Sequence, residues 1–139
     1  MTDVSFTGTD VKKSSGQVGL AVSAETIAAG DPVYIDDSDN LMYVADASTA
    51  DSPAATDTLG VALGGGATGQ TVPYAKGQGT KVDFGTGVFT AGVFYFVSPS
   101  EGIMPAGDLA STNYSIQLGY AETTDILVLQ PVIAGVALA

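Results

Sequence analysis

The chain has 139 residues and a formal net charge of −11, from fifteen carboxylates against four lysines, with no cysteine, histidine, arginine or tryptophan. Those absences exclude disulfides, thiolate and imidazole metal sites, a Ser-His-Asp triad and bidentate guanidinium forks. The acidity disfavours nucleic acid and anionic membranes as partners, and a chain this long builds one domain without a staple.

Taken in chain order, residues 1–16 lack a regular pattern and are expected to form an extended N-terminal arm ahead of a single β domain over 17–139. The arm has no apolar run of signal length. Short apolar runs punctuated by glycine, proline and acidic turns then predict strands at Gln17–Ser23, Pro32–Asp36, Leu41–Ala45, Gly60–Leu63, Thr71–Ala75, Thr80–Phe84, Val93–Val97, Tyr114–Leu118 and Ile126–Leu129. Asp37-Ser38-Asp39-Asn40 is a tight acidic turn closing a hairpin. The small, polar stretch Ala45–Asp57 is expected to be a surface loop. The apolar stretch from Ile126 onward is broken by Gln130 and Pro131 and is too short to span a bilayer.

The chain also repeats itself. Shifted by 62 residues, Ile27–Asp46 lies on Phe89–Asp108 without a gap, with identities at Ala29/Ala91, Gly30/Gly92, Ser38/Ser100, Met42/Met104 and Asp46/Asp108. After a three-residue deletion, Leu59-Gly60-Val61-Ala62 falls on Leu118-Gly119-Tyr120-Ala121. Residues 27–62 and 89–121 thus read as one duplicated unit: an Ala-Gly turn, a strand, an acidic turn, a return strand, a loop, then Leu-Gly-x-Ala. The expected fold is all-β, a small antiparallel barrel or sandwich of two pseudo-repeated hairpin units, since closure removes exposed edges.

Motifs that carry chemistry fail on inspection. Gly64 to Thr71 fits a phosphate loop except that Gln70 stands in place of the lysine, and a strand, not a helix, follows. Asp36 to Asn40 lacks the glycine and glutamate of a calcium loop. Ala29-Gly30-Asp31 looks like the turn of a lipoyl carrier, yet neither hairpin tip holds a lysine. No catalytic residue, metal ligand or cofactor is assigned, and no enzymatic activity is expected. Apolar residues make up 45% of the chain and charged ones only 14%. That surplus either fills an alanine-rich core or is covered by other copies or a partner.

Several motifs in order carry a family likeness: Ala29-Gly30-Asp31-Pro32-Val33-Tyr34, Leu59-Gly60-Val61-Ala62 followed by Gly69-Gln70 and Val72, Ala91-Gly92-Val93-Phe94-Tyr95, Gly102-Ile103-Met104-Pro105, and Leu118-Gly119-Tyr120-Ala121. Over about residues 17–130 the chain resembles the small head-decoration, or cement, proteins of tailed bacteriophages. The resemblance implies a homotrimer made in the host cytoplasm. It would sit on the outer capsid surface of the virion and clamp neighbouring subunits of the major capsid protein against packaged DNA. Within that frame the arm is expected to dock on the shell through Val4, Phe6, Val11, Lys12 and Lys13. Ile126, Val128, Val132 and Ile133 are expected to form the subunit interface. The alternative is a receptor- or carbohydrate-binding β module, with tyrosines as a stacking platform.

Overall fold

A computed structural model of the chain describes residues 4–45, 58–98, 102–105 and 114–137. A 3-10 turn at Gly8–Asp10 leads into β1 (Lys12–Ser23), β2 (Pro32–Ile35), β3 (Leu41–Val44), β4 (Thr58–Ala62), β5 (Thr71–Asp83), β6 (Phe94–Val97), β7 (Ile103–Pro105), β8 (Tyr114–Ala121) and β9 (Ile126–Ala137). The fold is all-β, as expected. Its strands run in the order β1-β3-β2-β4-β5-β9-β8-β6-β7, and a further β1–β5 pairing closes the first five into a ring.

The two halves repeat the same pairings. In the first, β3-β2-β4-β5 lie side by side; in the second, β7-β6-β8-β9 do, and β5 joins β9 through Lys81↔Val128 to Asp83↔Ile126. Register makes the equivalence specific. Val33 lies opposite Gly60 and Tyr95 opposite Gly119, positions separated by the sequence offsets of 62 and 59.

The Ala-Gly and Leu-Gly-x-Ala motifs bind one another in both copies. The Gly30 N–H donates to the Ala62 carbonyl (2.8 Å) and the Ala62 N–H to the Asp31 carbonyl (2.9 Å). In the second unit Gly92 donates to Ala121 (2.8 Å) and Ala121 to Val93 (3.0 Å). Gly30 and Gly92 take φ of 92° and 84°, a backbone that side chains disfavour. Gly60 and Gly119 are needed for a different reason. A Cβ on Gly60 would overlap the Ala75 carbonyl oxygen, and one on Gly119 the Val128 carbonyl oxygen.

Two apolar clusters hold the structure. Ile27, Val33, Met42, Val44, Ala62, Val72 and Tyr74 fill the five-stranded ring. The opposite faces of β2, β4 and β5 present Tyr34, Leu59, Val61 and Ala75 to a larger cluster with Phe84, Phe89, Tyr95, Ile116, Leu118 and Leu127. β4 is therefore buried on both faces from Leu59 to Ala62. Phe84, Phe89 and Tyr95 meet edge to face at centroid separations of 5.0 and 4.9 Å.

Four expectations need correction. β1 begins at Lys12, not Gln17, because Lys12 to Ser15 pair with β5, so the arm is shorter than residues 1–16. Thr71–Ala75 and Thr80–Phe84 are one strand, whose first part serves the ring and whose last part pairs with β9. β9 continues through Pro131 to Ala137; beyond Val128 it pairs with β8 alone, so the missing proline N–H breaks no ladder on its open side. The β1–β3 pairing, Val22↔Leu41, is parallel rather than antiparallel.

The gapless repeat also slips by one residue at the second hairpin. Asp36 N–H bonds the Leu41 carbonyl, whereas Ser98 N–H bonds that of Gly102 rather than Ile103. The expected Asp46–Asp57 part of the loop, the Asp46/Asp108 match and the hairpin tip at 99–101 lie outside the described residues.

Candidate docking surface

The expected docking arm is folded back on its own domain. Val4 and Phe6 are half-buried against the larger cluster and Val11 lies inside it at 7% exposure. The Val4 N–H donates to the Ile103 carbonyl (2.8 Å) on β7. The Phe6 ring meets Phe84 edge to face at 5.1 Å and occupies the place where a Cβ on Gly30 would stand. Before the 3-10 turn, half-buried Val4 and Phe6 alternate with exposed Ser5 and Thr7, as in an extended segment beside β7. These apolar groups are engaged within the chain, because Phe84 and the Gly30 turn give them a seat. Lys12 and Lys13 are exposed, and Lys13 Nζ donates to the Gly16 carbonyl at 3.3 Å.

The expected subunit interface on β9 is likewise divided. Val128 is buried at 6% exposure between its cross-strand neighbours Lys81 and Tyr120, on the face of β9 opposite the core residues Leu127 and Leu129. Ile126 and Ile133 are half-buried, and only Val132 is exposed.

A different surface stands out. On β1, Val18, Leu20 and Val22 are 44%, 70% and 40% exposed. They alternate with Gly19, Ala21 and Ser23, which face the ring. A Cβ on Gly19 would press on the Tyr74 ring at 2.8 Å, and the Ser23 hydroxyl donates to the Ala67 carbonyl at 2.6 Å. β1 thus turns its small residues inward and its large apolar residues to solvent, the reverse of an ordinary half-buried strand. Half-buried Pro73, opposite Leu20, and Leu41, beside Val22, extend the strip.

The backbone beside this strip is open too. Only Val22 and Ser23 of β1 pair with β3, so Lys12 to Ala21 have a strand on one side alone among the described residues. Near Lys12 and Lys13 that edge is guarded by charge and by bulges on either side of Ser15. Along Gln17 to Ala21 it carries neither.

Charge is arranged about the strip. All four lysines lie on β1 and β5, and the described residues hold one ion pair, Lys81 to Glu122 at 2.9 Å. Alongside the strip lies the Asp36–Asn40 turn, which leads into Leu41; because β1 and β3 are parallel, the turn falls beside the residues that precede Val22. There Asp36 accepts from the Ser38 hydroxyl and N–H, which hold its carboxyl below the usual range. Asp39 Oδ2 accepts from the Tyr43 hydroxyl at 2.6 Å, and this bond chiefly pushes Tyr43 up to about 12, with Asp36 and Glu25 adding to it. Asp31 is raised by burial, opposed by its hydrogen bond from the Ala28 N–H.

Elsewhere the surface offers little chemistry. Two clefts of about 330 and 300 Å³ share Asp10, Gly85 and Thr86. The Asp83 and Asp125 carboxylates beside them accept from the N–H groups of Gly85 and Gly87, as turn residues do. Among the described residues no three acidic groups come together in a form that could hold a metal ion. Phe94, 42% exposed, and Tyr120 form a tilted pair at 5.7 Å across β6 and β8. No protein-family model matches the sequence, and comparison with characterised proteins returns no match.

Proposed function

We propose that this protein is a structural component of a virion that decorates the outside of a tailed-phage head as a homotrimer and holds neighbouring coat subunits together. The observation that carries the reading is the strip of Val18, Leu20 and Val22 on β1. Large apolar side chains are held outward there on an acidic surface, where exposed apolar patches mark sites of association. The Ala-Gly and Leu-Gly-x-Ala motifs make equivalent hydrogen bonds in both units, which supports an internal duplication. The chain is not proposed as an enzyme.

The test is co-sedimentation of the purified protein with empty phage heads. Saturable binding that survives washing supports the reading; protein left in the supernatant at every salt concentration contradicts it. Exposed Phe94, with half-buried Tyr120 beside it, favours a second reading, a carbohydrate-binding module, because aromatic rings can stack on a sugar face. Binding to a glycan array that is lost in Phe94→Ala would support that reading over the first.

A further inference from the structure

The duplication runs further than the shared motifs, and the two units are closed in different ways. In the first, Ala62 lies opposite Tyr74, and Tyr74 opposite Gly19 on β1. In the second, Ala121 lies opposite Leu127, and Leu127 opposite Val82 on β5. The last part of β5 is thus the counterpart of β1. Val82 stands in the place of Gly19, and Gly85 to Gly87 in the places of Val22 to Ala24. Likewise Ile35 lies opposite Met42, and its counterpart Val97 opposite Ile103.

From these equivalent points the chain takes two courses. Val22 and Ser23 continue onto β3, and the Ala24 N–H donates to the Met42 carbonyl at 2.9 Å. Gly85 and Gly87 instead turn away at φ of 98° and 73°. The carbonyl equivalent to that of Met42, on Ile103, accepts from the Val4 N–H. The N-terminal segment therefore fills the place that the chain's own continuation fills in the first unit. A Cβ on Gly85 would meet Asp10 at 3.1 Å, so the segment lies against the end of β5 as well. It is loosely held. A cleft of about 330 Å³ opens between Ser5, Phe6, Thr7 and Asp10 on one side and Phe84, Gly85, Thr86 and Val88 on the other. Val4 to Ile103 is the segment's one backbone bond to another element among the described residues.

We propose that residues 4–10 are a releasable strap and that the Gly85–Gly87 turn is its hinge. Glycine takes extended and positive φ about equally well. When the strap leaves, the end of β5 swings onto β7 and closes the second unit as the first is closed. The Gly87 N–H then gives up its bond to Asp125 Oδ1, 3.2 Å long, for the Ile103 carbonyl. The fold thus displays both arrangements at once, the self-closed one at β1–β3 and the strapped one at β7. Release turns Val4 and Phe6 outward, and closure leaves no open edge on β7 behind it.

The device is independent of the decoration reading, and its test needs no phage head. A Cβ on Gly87 would meet nothing within 4 Å, so Gly87→Ala penalises only the backbone of the strapped state. In hydrogen exchange of the full chain followed by NMR, the Val4 amide should exchange about tenfold faster in that variant, the factor by which a side chain disfavours a left-handed backbone. The Ile116 and Leu127 amides should keep their wild-type rates. Conversely, Phe6→Ala should bring Gly87 into NOE contact with Ile103, as Ala24 contacts Met42 in the wild type. A Gly87→Ala variant that leaves the Val4 rate unchanged overturns the inference. So does one that speeds Ile116 and Leu127 by the same factor, since the domain would then open as a whole. A folded Phe6→Ala protein without the Gly87–Ile103 contact overturns it too.

Discussion

At the scale of single residues, the fold depends on a few positions where a methyl group too many has no place to go. Gly60 and Gly119 each lie against a carbonyl oxygen of the neighbouring strand. Gly60→Ala and Gly119→Ala should each cost about 1–3 kcal/mol, the usual penalty of overpacking, read as a lower urea midpoint. Because the two sites are equivalent by register, the two losses should be similar. Gly30 and Gly92 are equivalent in backbone but not in surroundings: the Phe6 ring crowds Gly30, while nothing approaches Gly92. Gly30→Ala should therefore be the more damaging of that pair.

Tyr43 supplies a test at the same scale that does not depend on stability. Its hydroxyl is held protonated to about 12 chiefly by the bond to Asp39. In Asp39→Asn the Tyr43 titration, followed by NMR, should move down toward 10.0. The raised value also has a sign for stability. The contribution is complete below pH 10.0, where the unfolded hydroxyl keeps its proton, and is lost as pH rises through about 12. An Asp39→Asn variant that left the Tyr43 titration unmoved would remove the bond from this account.

At the scale of elements, the N-terminal segment is the piece whose role changed most between sequence and structure. Read alone, Val4, Phe6 and Val11 sit in an aperiodic stretch, and nothing nearby tells where their apolar groups go. Their seats come from Ile103, Phe84 and Gly30, all distant in sequence. Phe6→Ala should cost about 2 kcal/mol, less than a fully buried phenylalanine because the ring is half-buried. Removing residues 1–11 should cost more, because Val11 lies in the core. A truncated protein with an unchanged urea midpoint would show that the segment is not part of the domain.

The same contrast explains which strands could be read in advance. Pro32 to Ile35, Leu41 to Val44 and Phe94 to Val97 announce themselves through β-branched and aromatic residues between turn signals. Lys12 to Ser15 do not, since their strand is held by backbone pairing with Asp83 to Lys81 and not by apolar side chains. The burial of Val128 was hidden for a related reason: the side chains beside it, Lys81 and Tyr120, come from the flanking strands β5 and β8. The strip on β1 was visible as alternation at Val18, Leu20 and Val22, but alternation does not say which face is inward. That is decided by the Tyr74 ring, which leaves room only for Gly19.

At the scale of the whole molecule, duplication accounts for the architecture and for an asymmetry within it. Both units use the same pairings, and the long strand β5 serves the ring with its first part and the second unit with its last. In the first unit β1 completes the ring by pairing with both β3 and β5. In the second, the position beside β7 is taken by the residues around Val4, through a bond to Ile103. Closure of the first unit through β1 leaves that strand with an open edge along Lys12 to Ala21 and an outward apolar face.

The most direct measurement is binding to a shell. Purified protein mixed with empty heads should pellet with them and saturate at a fixed ratio per head. Protein that remains in the supernatant at every concentration and salt tested would contradict the proposed function.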